Sequence, residues 1–346
     1  MPLPLEGRPT NNDEHALRRS VEILKILEEK RGPVGARVIA SELKRRGYDL
    51  NERTVRYHLR ILDERGLTEN LGYDGRVITQ KGIEEAREAL VHDRLGFIIT
   101  KIESLIFKMD FDAKKGRGKI IVNLGLISEK NLDKAMSVIS KVVSAGYAVS
   151  PHVKVIRPDD YAEDYVVPEG KLMIATACSI TLDGLLHRVG VPASLKFGGV
   201  VQIVDRKPQR FTDAITYSGS TLDPHEVFAV KGLGSVFNAM NTGSGYVLAN
   251  FREVPLEAVD CVKTCFRTAE AFGIKGVVSV GEPNNAVLGV TPSMGKIGIA
   301  CYGGTNPFAA LSEVGIPVET RAIHGLMQFE EMIPLQDLTI HHTSRR

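Results

Sequence analysis

The segment GKLMIATACSITLDGLLHRVGVP, residues 170–192, decides the organisation of this 346-residue chain, because it recurs as GKIGIACYGGTNPFAALSEVGIP at residues 295–317. Each copy predicts an apolar strand, a turn of small residues, a short helix and a Gly-x-Pro stop. The match extends upstream at a slightly different offset, so the chain after about residue 118 is predicted to be a duplicated unit. The upstream matches are Gly118 with Gly245, Asn123 with Asn250, and Gly146 with Gly273.

The two halves of this body, about residues 118–203 and 245–330, each predict the order strand, helix, strand, strand, helix, strand. That order favours a ferredoxin-like sandwich in each half, although other α/β arrangements fit the same pattern. The intervening residues 204–244 have no counterpart of similar length after the second half. We therefore expect a body over residues 118–346 and read the preceding residues separately.

Composition places the chain among ordinary globular proteins, with 43% hydrophobic and 25% charged residues and a net charge of +2. The near balance of charge excludes little, because a basic surface can exist within a neutral total. Residues 1–10 contain no apolar core of a signal peptide, and the apolar runs are short. We expect a cytoplasmic location and no membrane segment.

The four cysteines are too few and too scattered for a disulfide framework. Cys261 and Cys265 lie four apart on a predicted helix and could contact a metal. Without a second Cys or His pair at ligand spacing, buried thiols are the favoured interpretation. We predict no structural zinc, no other metal site and no cofactor.

Residues 10–92 predict three helices followed by a small hairpin. The third helix begins after Asn51, a good N-cap, and buries Val55, Leu59 and Leu62. Apolar segments then flank Gly72–Gly75, whose Asp-Gly pair indicates a hairpin turn. This is the order of a winged helix. The predicted fold class is therefore α+β, an N-terminal winged helix followed by a duplicated βαββαβ-like α/β domain.

A row of basic side chains on the third helix suits a DNA major groove, where arginine can pair with guanine and hold phosphates. Arg76, on the wing, is expected near a second row of phosphates. An ordinary solvated helix face is the alternative, and winged helices also bind proteins or RNA. The predicted DNA-binding residues are Arg53, Arg56, Tyr57, Arg60 and Arg76.

Residues 93–117 are predicted to connect the head and the body. An amphipathic helix fits Leu95–Met109. A short hairpin is expected to follow, with Phe107–Phe111 and Ile120–Val122 on either side of the polar residues 114–118. Two compatible roles remain open for the helix. It could transmit movement between the DNA-binding head and the body, or it could form a dimer contact.

Several motifs in the body occur in the order typical of one family. They are Arg210–Asp213, Tyr217–Pro224, Asn250–Glu253 and Gly303–Pro307. With the winged helix in front, residues 13–335 resemble the NrpR family of archaeal nitrogen-regulation repressors. The body resembles one NrpR regulatory domain, formerly domain of unknown function 128. The head is similar to winged helices of archaeal repressors and, more distantly, to one associated with ribonuclease R.

This resemblance implies a homodimeric transcriptional repressor of nitrogen-assimilation and nitrogen-fixation genes. Such a repressor binds double-stranded DNA at an inverted-repeat operator and is released when 2-oxoglutarate occupies the regulatory domain. Some family members carry two regulatory domains, whereas this chain has one. It therefore stays open whether the protein acts alone or with a second regulatory-domain protein that contacts basal transcription factors.

The two strand-to-helix corners, Cys178–Thr181 and Gly303–Asn306, are the predicted effector site. Helix N-termini supply N–H donors for a dicarboxylate, and Thr305 and Asn306 could cap the second helix. Capping and turn formation alone are the alternative explanation of these residues. The candidate effector-binding residues are Cys178, Ser179, Thr181, Cys301, Gly303, Gly304, Thr305 and Asn306, with Lys196, Arg210, Arg252 and Arg321 as candidate counter-charges.

Two other functions compete with this interpretation. A cleft between duplicated halves could hold an active site, but we find no catalytic residues, because no acid/base pair or activated nucleophile has persuasive spacing. Asp213 and Asp223 are expected to hold turns. The second alternative is a winged-helix regulator that senses a different metabolite.

Overall fold

A computed structural model of the chain describes residues 11–88 and 97–337, apart from positions 31, 47, 49, 159 and 161–166. It divides into two compact units, a head that ends at Asp93 and a body that begins at Arg94. The predicted boundary between residues 92 and 93 lies outside the described residues.

The head has the winged-helix order that its sequence predicts. Its elements are α1 (Asn11–Lys30), α2 (Ala36–Arg45), α3 (Glu52–Glu64), β1 (Thr68–Asn70), β2 (Arg76–Ile78) and α4 (Gln80–Glu88). The α3 helix begins where the Asn51 side chain accepts a hydrogen bond from Thr54 N at 2.9 Å, which satisfies a free N–H of the first turn. Strands β1 and β2 pair antiparallel, and Val34 adds a bridge to Arg76.

The helix predicted for the connector belongs to the body. Helix α5 (Phe97–Lys108) buries Ile102 in the body core, and the compact unit includes it. The connector hairpin differs from its prediction, because Phe107 and Lys108 continue the helix instead of forming a strand. A tight turn closed by an Asp112–Arg117 bridge replaces it.

The rest of the body contains two copies of the predicted βαββαβ order. The first copy has β3 (Lys119–Ser128), α6 (Leu132–Ser144), β4 (His152–Ile156), β5 (Lys171–Ala177), α7 (Ile180–Arg188) and β6 (Ser194–Val204). The second has β8 (Gly245–Pro255), α10 (Val259–Glu270), β9 (Val277–Val280), β10 (Lys296–Tyr302), α11 (Asn306–Glu313) and β11 (Glu319–Gln328). The chain closes with β12 (Ile333–Pro334).

Between the copies, the segment without a counterpart forms β7 (Lys207–Thr216), α8 (Pro224–Val230) and α9 (Val236–Thr242). Strand β7 returns along β6 through Asp205 and Arg206, whose φ angles of 50° and 63° suit a two-residue hairpin turn. Asp213 lies within β7, paired with Val200, and not in a turn as predicted. Asp223 is the N-cap of α8 and not a turn residue as predicted, because its carboxylate accepts hydrogen bonds from His225 N and Glu226 N.

The copies exchange their last strands. One sheet has the order β11-β3-β5-β4-β12 and the other has the order β7-β6-β8-β10-β9. The fourth strand of each copy, β6 or β11, therefore lies beside the first strand of the other copy. Each sheet has the fourth-first-third-second order of a split βαβ sandwich, but neither half is self-contained. This corrects the prediction of one sandwich per half.

Helices follow the exchanged strands. Residues of α6 and α11 share one core, and residues of α7 and α10 share the other. Each core therefore takes one helix from each copy. Both cores also draw apolar residues from the two sheets.

Candidate DNA-binding surface and effector site

Helix α3 separates an apolar face from a basic face, as its sequence predicts. Val55, Leu59 and Leu62 are fully buried. The polar face exposes Arg53, Arg56, Tyr57 and Arg60. The helix thus presents the donor row that the sequence analysis assigned to a major groove, on the surface of the head.

The exposed arginines of α3 differ in their contacts with neighbouring carboxylates and with the Tyr57 ring. Arg56 pairs with Glu52 at 2.6 Å, and the Arg60 guanidinium lies 5.8 Å from the centre of the Tyr57 ring. Arg60 is also 3.6 Å from Glu64. Within the described part of the chain, Arg53 takes part in no ion pair, so its guanidinium needs no rearrangement to meet a phosphate or a base.

On the wing, Arg76 is held by an ion pair. Arg76 donates from Nε to Asp63 Oδ2 at 2.8 Å, and both side chains are largely withdrawn from solvent. This contact ties Arg76 to α3, and its predicted position near a second row of phosphates stays a prediction. The exposed tip carries Tyr73, Leu71 and Asp74.

In the body, the structure brings the two corners together. Thr176 Oγ1 donates to the carbonyl oxygen of Gly304 at 2.9 Å. A Cβ atom built at Gly304 would lie 2.2 Å from the Ala177 carbonyl oxygen and 2.9 Å from Cys178 Cα, so only glycine permits this approach. We call this contact between Cys178–Thr181 and Gly303–Asn306 the seam. All eight candidate effector residues are buried at or beside it.

One candidate effector residue in each corner forms hydrogen bonds with the first strand of its own copy. Thr181 Oγ1 accepts from Ile121 N at 3.1 Å and donates to Ile121 O at 3.0 Å. Asn306 makes the equivalent pair of bonds to Leu248 N and O. Neither Thr305 nor Asn306 caps its helix as predicted, because the Thr305 side chain makes no capping bond and Asn306 is the first helical residue.

Two groups of buried polar side chains lie at the seam. Ser179 Oγ donates to Asn250 Oδ1 at 2.5 Å, and Asn250 Nδ2 donates to the Tyr217 hydroxyl at 2.8 Å. His225 Nε2 is 3.1 Å from Ala249 O, which assigns the proton to Nε2 and leaves Nδ1 to accept from Thr305 at 3.4 Å. The first corner is thereby bonded to Asn250 of the second copy, and the second corner contacts His225 of the intervening segment.

The thiols at the seam are unsuited to nucleophilic or metal chemistry. Burial raises the pKa of Cys178 to about 12 and the pKa of Cys301 to about 11, so both are neutral thiols near pH 7. Among the described residues, no cluster of three or more His, Cys, Asp or Glu side chains could hold a metal ion.

Of the four candidate counter-charges, one lies at the seam. Arg252 is fully buried, with Nη1 3.0 Å from Asp183 Oδ2 and 3.3 Å from the Ser179 carbonyl oxygen. Burial raises the pKa of Asp183 to about 6 although Arg252 opposes the shift. The other three candidates lie elsewhere: Lys196 pairs with Glu253, Arg321 pairs with Glu319, and Arg210 is exposed on β7.

Most of the side chains that surround the corners were not among the residues predicted for the site. Asn123, Tyr217 and His225 are buried there, and Asp183 faces Arg252. One signal was available, because Asn123 and Asn250 occupy equivalent positions in the two copies. Asn123 Oδ1 accepts from Ile323 N at 3.0 Å, and Ile323 has a φ of 48°, a strained value for a β-branched residue.

A separate cleft of about 670 Å³ opens between the end of α7, the start of α10 and the turn before β3. Its lining mixes apolar residues with Arg188, Lys114, Asp112 and Asp260. None of the eight candidate effector residues lines it. The described helices include none that is long and apolar enough to cross a membrane.

Comparisons with known proteins agree with both units. The family model "NrpR regulatory domains NRD1 and 2" matches residues 95–334, and the "Ribonuclease R winged-helix domain" model matches residues 21–86. A crystal structure of a nitrogen repressor-like protein from Methanococcus jannaschii is similar to 69% of this chain and 98% of its own, with a TM-score of 0.59 and 30% sequence identity.

Among curated proteins, the global nitrogen regulator NrpRI of Methanosarcina mazei is 39% identical over 92% of this chain and 98% of its own length. The global nitrogen regulators NrpR of Methanococcus maripaludis and Methanocaldococcus jannaschii are 32% and 33% identical over 90% and 92% of this chain. The chain spans about half the length of these last two relatives, 54% and 55%.

A winged-helix head in the same chain as this duplicated body defines a transcription regulator and not an enzyme, in keeping with the names of the relatives. Within that class, the chain belongs to the NrpR family of nitrogen regulators. The resemblance on which the sequence analysis relied is therefore confirmed.

Proposed function

We propose that this protein represses nitrogen-assimilation and nitrogen-fixation genes by binding an inverted-repeat operator as a homodimer, and that 2-oxoglutarate in the body releases it. The observation that carries the DNA-binding part is the exposed basic row on α3 of a winged helix. Family membership supports the nitrogen-responsive part, since the relatives are named global nitrogen regulators.

A dimer explains how such a head would obtain specificity. Two recognition helices related by a twofold axis read half-sites about one DNA turn, roughly 34 Å, apart. Any change in the body that alters this spacing or tilt weakens both contacts together. The effector thus needs only to favour a body conformation in which the two heads no longer fit the operator.

Operator binding is measured by fluorescence anisotropy, with a labelled inverted-repeat duplex from upstream of a nitrogen-assimilation gene. We expect Arg53→Ala and Arg56→Ala each to lower affinity about tenfold and to reduce the salt-dependence slope by about one. Arg45→Ala is the matched control, because its side chain is 70% exposed against 68% for Arg56 but lies at the end of α2. Equal losses in all three variants would refute the α3 assignment.

The release step is tested in the same assay by titrating 2-oxoglutarate against the wild-type complex. We expect the dissociation constant for the operator to rise as the effector binds. Release by another metabolite from a panel of central metabolites, and not by 2-oxoglutarate, would support the alternative regulator. No release by any member of the panel would contradict effector control through the body.

A further inference from the structure

The first turn of α3 places a carboxylate one turn before an arginine. Glu52 is the first residue of the helix and Arg56 follows four residues later, so both side chains lie on the same face. The turn that carries Glu52 is fixed, because Asn51 Oδ1 accepts hydrogen bonds from Thr54 N at 2.9 Å and from Thr54 Oγ1 at 3.0 Å. Val55, next to Arg56, is fully buried in the head. The backbone beneath both charged side chains is therefore held in place.

The contact between the two side chains uses only one edge of the guanidinium. Arg56 Nε and Nη2 both donate to Glu52 Oε1, at 3.1 Å and 2.6 Å. Among the described residues, Arg56 Nη1 has no hydrogen-bond partner, and the side chain is exposed. The donors of a guanidinium are fixed in one plane, so an acceptor that holds one edge also sets the direction of the other. Arg56 therefore presents its Nη1–Nη2 edge to solvent in a defined orientation.

An arginine edge of this kind matches guanine. In the major groove, guanine O6 and N7 both accept hydrogen bonds, and two neighbouring N–H groups of one arginine can pair with them. The N-terminal residues of a recognition helix are those that contact base edges, and Arg56 lies in the second turn of α3. Because Glu52 already restrains the side chain in the free protein, less conformational entropy is lost when the base contact forms.

The other two arginines of this helix are arranged differently. Arg53 takes part in no ion pair within the described part of the chain, so neither edge of its guanidinium is held. Arg60 approaches Glu64 only to 3.6 Å and lies against the Tyr57 ring, 5.8 Å from its centre. An unrestrained arginine suits a phosphate, which accepts hydrogen bonds from many directions. Of the three, Arg56 is the one whose geometry favours a base contact.

We infer that Arg56 pairs with a guanine of the operator through Nη1 and Nη2, and that Glu52 is the positioning residue that holds Arg56 for this contact. This inference rests on the proposed DNA binding and assigns one specific contact within it. The phosphates of any DNA repel the Glu52 carboxylate, so Glu52 lowers affinity for all sequences. It raises the preference for the sequence with the guanine, which makes it a determinant of specificity and not of affinity.

Fluorescence anisotropy tests the base contact with the operator duplex and with duplexes in which each G·C pair of one half-site is changed in turn to A·T. In the wild type we expect one such change to weaken binding about tenfold to a hundredfold. Arg56→Ala should abolish that difference. Arg56→Lys keeps the charge, so it should retain the salt-dependence slope and lose most of the difference. An equal loss of affinity for every duplex in Arg56→Ala, or full discrimination in Arg56→Lys, would overturn the inference.

Glu52→Ala tests the positioning role at the same base pair. We expect discrimination there to fall about fivefold, while affinity for a duplex without an operator sequence is unchanged or higher. A merely structural defect in the head would instead weaken binding to both duplexes. Glu64→Ala is the matched control, because Glu64 also lies four residues from an arginine but at the other end of α3. Unchanged discrimination in Glu52→Ala, or an equal fall in Glu64→Ala, would contradict the role of Glu52.

The inference and the proposed function fail in different ways. If the wild type binds the operator no more tightly than unrelated DNA, both are wrong. If it binds the operator specifically but no G·C pair depends on Arg56, the base contact is wrong and the proposed function stands. If Arg56 discriminates a guanine but 2-oxoglutarate does not release the operator, the base contact stands and the effector part of the proposed function is wrong.

Discussion

Arg76 and Asp63 form an ion pair, with 2.8 Å between Nε and Oδ2, that joins the second wing strand to the proposed recognition helix. Asp63 also accepts from Thr68 Oγ1 at 2.6 Å, so one carboxylate holds both strands of the wing. Such an anchor fixes the angle of the wing relative to α3. It also gives Arg76 a role within the head that does not require DNA.

We therefore expect Arg76→Met to destabilise the head without changing the salt dependence of operator binding. Loss of a charged hydrogen bond to a mostly buried carboxylate should lower the free energy of unfolding by about 1–3 kcal/mol in urea titration. Arg65→Met breaks a more exposed pair with Glu85 and should cost less than about 1 kcal/mol. A reduced salt slope with unchanged stability would instead return Arg76 to the phosphate contact.

Gly304 should tolerate no side chain. In Gly304→Ala the new methyl group would meet the Ala177 carbonyl oxygen, a backbone atom that cannot move without opening the seam. We expect a loss of about 3 kcal/mol in the free energy of unfolding. Gly325→Ala is the control, because no atom lies within 4 Å of a Cβ built there, and its cost should stay within about 0.5 kcal/mol. Equal stability of the two variants would disprove the close contact.

His58 should make the head sensitive to acid. It lies 5% exposed on the inner side of α3, and burial, with Arg19 nearby, lowers its pKa below the usual 6.5. Between its folded and unfolded pKa values, the unfolded head binds more protons, so stability falls as the pH drops below about 6.5. Urea titrations at pH 7 and pH 5 should show this loss in the wild type and a smaller loss in His58→Gln. An identical loss in both proteins would argue against His58.

Asp183 should have the opposite dependence in the body. Its folded pKa of about 6 exceeds the ordinary value of 3.8, so the folded protein takes up a proton that the unfolded chain does not bind between about pH 6 and pH 4. The contribution of Asp183 to stability therefore rises as the pH falls through this window, by up to about 3 kcal/mol. Comparing the wild type with Asp183→Asn at pH 7 and pH 4.5 isolates this effect, since other buried acids are common to both. A difference between the two proteins that does not change with pH would contradict the raised pKa.

Local features could be predicted from the sequence because they depend on residues close together in the chain. The Asn51 cap, the buried stripe of α3 and the strand-to-helix order of each repeat follow from periodicity and turn chemistry. Asn123 and Asn250 also signalled a shared role, since a duplicated asparagine is easily recognised. The hydrogen-bond partners of Asn123 and Asn250 could not be predicted, because they come from β11, from the turn after β7 and from the other copy.

The sequence by itself determined that this protein has a winged-helix head, read from residues 10–92, and a body of two βαββαβ copies, read from the repeat. Only the tertiary structure decided that β6 and β11 change places, because two copies with the same local pattern offer the same edge to either fourth strand. The contact between the two corners at the seam was also decided only by the tertiary structure. In the sequence, Arg252 was one of four equally plausible cations. It differs from the other three because strand exchange brings β8 against the corner before α7. There Arg252 is buried away from water, and Asp183 is its ionic partner.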